Sequence, residues 1–204
     1  MFPPASRAIL ALGAAGIASL ALRPVAADPE RRPVVRQWAV VDFDPVIAVG
    51  LEGYRDFENG RRVFSAASCI KCHRFAGEGP LAANTPDLAK AAGSLSPGEL
   101  LEAIISPSLV IACSDVVQIF ELAEGMLIEG RIVEEGETHY LISPDPRAPG
   151  QIVKVLKSTV ITRRSSPTSA MPPGLLDSLH EEDVLDLLAY LLSGGNKESP
   201  LFAH

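Results

Sequence analysis

Cys69-Ile70-Lys71-Cys72-His73 is the stretch on which the reading of this chain turns. Two thiols stand two residues apart, and an imidazole follows the second directly: C-x-x-C-H. On a helical turn that spacing sets both sulfurs on one side, with the histidine ring below them. Upstream, Phe57 to Ser68 reads as a helix with Val63, Phe64 and Ala67 on one face. Downstream, Phe75 to Lys90 is rich in Gly, Pro, Asn and Ala without a period, and reads as a long loop. Ser96-Pro97-Gly98-Glu99 then opens another helix. Ser96 can cap it, Pro97 suits its first position and Glu99 can close a capping box. Leu100, Leu101, Ile104 and Ile105 supply its apolar stripe, and Pro107 ends it.

The pattern changes near Val116. Val116 to Leu122, Met126 to Val133, Thr138 to Ile142, Gln151 to Val155 and Thr159 to Thr162 are short β-rich runs. Ala123-Glu124-Gly125, Glu134-Glu135-Gly136 and the Pro/Gly-rich Ser143 to Gly150 separate them, which predicts a small antiparallel meander or barrel. Helical character returns with Val184, Leu187, Leu188, Leu191 and Leu192 on one face, and Ser193-Gly194-Gly195 stops it. Glu181, Glu182 and Asp183 suit the positive end of that helix dipole.

At the N-terminus, Arg7 precedes the uncharged run Ala8 to Leu22, and Val25-Ala26-Ala27 offers small residues for cleavage after Ala27. The run is about 15 residues where roughly 20 span a bilayer, so it reads as an export signal; an uncleaved anchor is the alternative. Asp28 to Pro33 reads as a linker, and Val34 to Gly53 as a surface-packed lead-in containing Trp38. The 204 residues carry a formal charge of −7 and are 47% hydrophobic, which describes a globular protein and argues against nucleic acid as the main partner. Three cysteines are too few for a disulfide scaffold.

C-x-x-C-H is the attachment signature of a c-type haem. The two thiols add across the two vinyl groups of one porphyrin edge, and the histidine that follows presents its ring to the iron. Three other readings of the residues stand beside it, one of them a chance structural pair of cysteines. A redox C-x-x-C usually sits at the start of a helix in an α/β fold, and a structural zinc site calls for a second ligand pair, which the sequence lacks.

On these residues the chain resembles a class I cytochrome c, and more narrowly it is similar to the planctomycete-type haem-binding domain. The resemblance rests on Arg55 to Gly60 leading to Val63-Phe64, on Cys69 to Phe75, Pro86-Asp87-Leu88, Ser106-Pro107-Ser108, Met171 to Leu176 and Ala189-Tyr190-Leu191, and covers roughly residues 50 to 193. It implies a mainly α cytochrome c fold with a small antiparallel β insertion, α+β overall. It implies one covalent haem c, with Cys69 and Cys72 as thioether anchors, His73 as the proximal iron ligand, and Pro86 offering its carbonyl to the other ring nitrogen of His73. Gly60 and Phe64 would meet Tyr190 where the terminal helices cross. Thr85 stands where the family usually has Gly. The resulting division is an export signal over 1–27, a lead-in over 28–50, the first part of the cytochrome domain over 51–115, the insertion over 116–162, the second part with methionine loop and last helix over 163–195, and a tail over 196–204.

For the sixth iron position the resemblance points to Met171, in the Pro-flanked loop before the last helix. Met126 competes but reads as packing in the β segment. His180 opens an acidic helix, His139 lies in a strand and His204 in the tail. Cys113 reads as a small buried side chain, with an intermolecular disulfide as the sharper alternative. Arg61, Arg62, Lys71 and Arg74 cluster around the motif, either as a solvated face or as a ring steering an acidic partner, and Arg163 or Arg164 is a candidate for a haem propionate. The expectation is an exported, periplasmic one-electron carrier, not an enzyme. Its partner would be a redox protein such as an exported or membrane-bound dehydrogenase or oxidase, with no small-molecule substrate. A peroxidase-like enzyme or a ligand sensor with an open or labile distal site is the alternative.

Overall fold

In the computed structural model, residues 35–49, 51, 55–82 and 85–202 are described. The predicted export signal and linker lie outside them. Among the described residues five α-helices, α1 (Asp44–Ala48), α2 (Phe57–Ala66), α3 (Leu88–Ser94), α4 (Pro97–Ile105) and α5 (Glu181–Leu192), accompany one antiparallel sheet. Its strands are β1 (Val117–Leu122), β2 (Leu127–Glu135), β3 (His139–Ser143), β4 (Val153–Leu156) and β5 (Val160–Ser165). No helix among the described residues is long and apolar enough to cross a membrane.

The helical part is organised by α2 crossing α5. Asp56 caps α2 by accepting the Asn59 N–H at 3.0 Å. At the crossing, a Cβ on Gly60 would lie 2.3 Å from the Asp186 carbonyl oxygen and 2.7 Å from Tyr190 Cβ. Only glycine permits that approach. Tyr190 then meets Phe57, Phe64 and Phe75, with ring centroids 5.3, 6.0 and 5.2 Å away. A polar clasp closes the crossing at one end. Asn59 Nδ2 donates to Asp183 Oδ1 at 3.0 Å and to Asp186 Oδ2 at 2.8 Å. The buried Arg55 guanidinium donates to Glu182 at 2.9 Å. Both aspartates are buried, so these partners offset the desolvation of their charges.

α4 forms as its sequence predicts: Ser96 Oγ accepts the Glu99 N–H and the Glu99 carboxylate accepts the Ser96 N–H. α3 falls partly within the stretch read as a loop. The Asp87 carboxylate accepts the Ala89 N–H at 3.0 Å and starts this Ala-rich helix, which hydrophobic periodicity does not reveal. The lead-in also departs from its reading as surface-packed. Trp38, Phe43 and Leu51 are buried in the main core, because the segment folds back over the end of the methionine loop.

The β region is a separate small core of Phe120, Ile142 and Val155, with Leu122, Ile128, Ile132, Tyr140 and Val160 packed around it. Strand order is β4-β3-β2-β1-β5. β4 and β5 are at opposite edges, yet only Lys157–Thr159 joins them. A flat sheet of this order would separate those edges by about 19 Å at ~4.8 Å per strand. The short link spans less, about 14 Å fully extended, so the sheet curls into a small barrel. The link is bonded on both sides, with Lys157 N–H donating to the Thr138 carbonyl and Ala123 N–H to that of Thr159, each at 2.9 Å.

Gly60→Ala tests the crossing. The gain in helix propensity is about 1 kcal/mol, whereas forcing a methyl into backbone costs about 1–3 kcal/mol or more. A net fall in Tm is expected; an unchanged or higher Tm would show that the helices do not cross at this residue.

Candidate haem site

α2 ends where Ala67 N–H bonds back to Val63, and Ser68 takes a left-handed conformation, φ 67°. That reversal swings the chain into a single 3-10 turn, Cys69–Lys71. Cys72 N–H and His73 N–H both donate to the Cys69 carbonyl, at 3.2 and 3.0 Å, so the motif is wound on one acceptor. Cys69 and Ile70 pack on the main core. Phe75, two residues past His73, is fully buried between Phe64 and Tyr190, which ties the motif to the helix crossing.

The loop behind His73 is held as firmly. Phe75 and Glu78 exchange backbone hydrogen bonds at 2.9 Å. Gly79, at φ +101°, lies against the histidine backbone: a Cβ there would be 2.2 Å from the His73 carbonyl oxygen. Arg74 N–H donates to the Pro86 carbonyl and Leu88 N–H to that of Arg74, each at 3.0 Å, so residues 85–88 are pinned to the motif. The Arg74 guanidinium repeats the tie to Asp87. Pro86 thus lies alongside the motif, with its carbonyl engaged by Arg74 N–H. A carbonyl oxygen has a second lone pair for a second donor. Thr85, in the place where the family usually has Gly, has an ordinary φ and is buried, so no left-handed strain results from the replacement.

Electrostatics distinguish the members of the motif. Burial pushes the Cys69 thiol up to about 11. Burial also raises Cys72, with the Asp145 carboxylate adding and Arg147 opposing. Burial lowers His73 and favours its neutral ring, the form that can ligate iron, while Asp115 and the Pro86 carbonyl oppose and Arg131 assists. Asp115, Arg131, Asp145 and Arg147 all belong to the β region or its entry, so the barrel stands within electrostatic reach of the motif. Nothing in the sequence pattern announces that, since each lies more than a turn of chain away from it.

Met171 packs on the same core as Cys69 and Ile70. Met126 is 53% exposed in the β1–β2 turn, which corrects its reading as a packing residue: the chain reverses there and turns the side chain to solvent. Cys113 is likewise exposed, on a one-turn 3-10 helix outside both cores, not buried as expected. Arg163 stays on the exposed side of β5 but is engaged there, by Gln118 at 3.1 Å and over the Tyr140 ring, and does not stand free for a propionate. Of the basic cluster, Arg61 pairs with Glu78, Arg62 with Asp183 and Arg74 with Asp87. His139 lies in β3, and His180 precedes α5, its N–H donating to Asp183 at 3.3 Å.

Residues 57–126 match the model of the Cytochrome c family. The match takes in α2, the C-x-x-C-H turn, α3, α4 and β1, and ends in the β1–β2 turn, short of Met171 and α5. No curated protein matches the chain. The cofactor of such a domain is one haem c, bound covalently, and the domain works with a redox partner. The residues present fit that cofactor. Two thiols and an imidazole share one turn, and His73 Nδ1 is buried without a partner, a cost that a structure tolerates at a functional group. Among the described residues no three His, Cys, Asp or Glu side chains converge as a metal cage, which leaves a structural zinc site without ligands.

Gly79→Ala is expected to displace the His73 backbone, since the φ is one that L-residues rarely adopt and relief costs about 1–3 kcal/mol. The ratio of haem to protein absorbance in purified chain should fall well below that of the parent; an unchanged ratio would show that Gly79 does not set the histidine.

Proposed function

We propose that the chain is an exported, periplasmic monohaem cytochrome that carries single electrons, with haem joined to Cys69 and Cys72 and the iron held between His73 and Met171. The observation that carries this reading is that Met171 and Cys69, distant in sequence, are packed on one helical core beside a histidine with a buried, unpartnered ring nitrogen. When bound, the haem supplies a one-electron couple at its iron. The residues of the chain do the rest.

Cys69 and Cys72 hold the porphyrin edge on a turn wound by one carbonyl. His73 is oriented by that same turn and by the Gly79 backbone behind it. Pro86, pinned beside the motif, would take the so far unpartnered His73 ring N–H on its second lone pair when the other ring nitrogen holds iron, and so raise ligand basicity. Met171 closes the sixth position to water and, as a thioether, favours the ferrous state and raises the potential. Carriage of an electron asks for no proton-transfer group. The candidate acid–base groups of the peroxidase-like alternative are His139, in β3, and His180, just before α5. Export gives the two thiols an oxidising compartment in which a cofactor, not a disulfide, occupies them. The partner is an exported or membrane-bound dehydrogenase or oxidase.

Met171→Ala tests the assignment. The methionine–iron charge-transfer band of the oxidised protein should vanish and the reduction potential should drop; retention of both would overturn Met171 as ligand. Cys69→Ser with Cys72→Ser should yield colourless chain after acid–acetone extraction, while the parent keeps its haem; a coloured double variant would refute covalent attachment at these thiols.

A further inference from the structure

Met171 lies in a segment that makes little use of packing. Pro172, Pro173 and Gly174 are exposed, and an open groove of about 360 Å³ runs between Trp38, Ile104, Ile105 and residues 173–177. The loop is instead fastened at its two ends. On the near side, Met171 N–H donates to Ser169 Oγ at 3.1 Å, and Ser169 N–H donates to Ser108 Oγ at 3.0 Å, which ties the loop to the exit of α4. On the far side, the indole N–H of Trp38 donates to the Leu176 carbonyl at 3.1 Å, and Arg36 N–H donates to the Asp177 carbonyl at 2.9 Å. Both donors belong to the lead-in.

The lead-in is itself anchored. Trp38 is 7% exposed and its ring lies 4.9 Å from that of Phe43, which is fully buried. The Arg36 guanidinium covers the other side of the indole at 4.1 Å and is held by Asp42 at 2.9 Å. Between the far anchor and Met171 lie only four residues, two of them prolines whose φ is fixed and one Gly174 at φ 78°, so a displacement at Leu176 is felt a short way along the chain at Met171.

We propose that Trp38 is a positioning residue for the sixth iron ligand: the lead-in straps the far end of the methionine loop, and its indole hydrogen bond sets how readily Met171 leaves the iron. This rests on the assignment of Met171 as ligand. The strap makes the N-terminal segment, outside the stretch that matches the cytochrome c family, a determinant of distal-site closure. When the bond opens, the loop swings on its Ser108–Ser169 end, and a small external ligand gains the site.

The test is the rate at which imidazole displaces the sixth ligand of the oxidised holoprotein. Trp38→Phe keeps a ring on Phe43 and removes the donor together with part of the buried ring volume, for which a core cavity elsewhere is the control. Arg36→Pro removes the second donor at an exposed position, and serves if the first variant folds poorly. Each is expected to speed imidazole uptake by about tenfold, the equivalent of one hydrogen bond. Val63→Ala, a cavity in the same core on α2, is expected to lower Tm yet leave uptake within about twofold, well under one hydrogen bond's worth. Uptake within twofold of the parent in both strap variants, or equal acceleration in Val63→Ala, overturns the strap. Met171→Ala run in parallel separates the two claims: if it takes up imidazole as slowly as the parent, the ligand assignment itself falls.

Discussion

The close approach of α2 and α5 at Gly60 is the contact on which the rest of the molecule depends. With no side chain at that position, the helices meet backbone to side chain, and Tyr190 reaches through to Phe57, Phe64 and Phe75. Phe75 is the link from packing to chemistry. It is buried in the aromatic cluster and stands two residues from His73, so the position of the imidazole follows from the helix crossing. The cluster supplies oriented edge-to-face contacts worth about 0.5–1.5 kcal/mol each beyond their burial. Few aromatics suffice because they are concentrated at one point.

Around the motif, charges are matched locally even though the chain is acidic overall. Arg61, Arg62 and Arg74 are each satisfied by a carboxylate of a neighbouring segment. The exposed pairs add little stability individually; their effect is to hold the Glu78 turn and the Asp87 helix start in register with the motif. The barrel contributes a second set, Asp115 with Arg131 at 3.5 Å and Asp145 with Arg147 at 3.0 Å. These bring paired rather than naked charges into the field of Cys72 and His73. An insertion with its own apolar core can thus sit beside the site without burying an uncompensated charge there.

The two segments proposed to flank the haem are built differently. The C-x-x-C-H side is wound from consecutive residues, closed on one carbonyl and backed by a glycine that fills no space. The Met171 side is assembled from the lead-in, the exit of α4 and a proline-stiffened loop, which meet only in the folded chain. Local winding gives rigidity that does not wait for tertiary contacts; assembly from distant segments gives a side whose firmness depends on a few hydrogen bonds.

From the residues alone came the helix leading to the C-x-x-C-H stretch, the Ser96 start of α4, the extent of α5 and the β-rich segment, with strands within a few residues of their observed bounds. All of these are local: spacing, capping and alternation are properties of short stretches, and short stretches carry them in plain view. What tertiary structure decided is what depends on contacts across the chain. It curled the sheet into a barrel, since closure follows from a three-residue link meeting two edges. It buried Trp38 and exposed Cys113 and Met126, since composition does not say which segment folds back on a core. It laid Arg163 over the Tyr140 ring and paired Trp38 with Leu176, a hydrogen bond between residues 138 positions apart. No periodicity registers such a contact, because its energy belongs to two surfaces that exist only after the chain has folded.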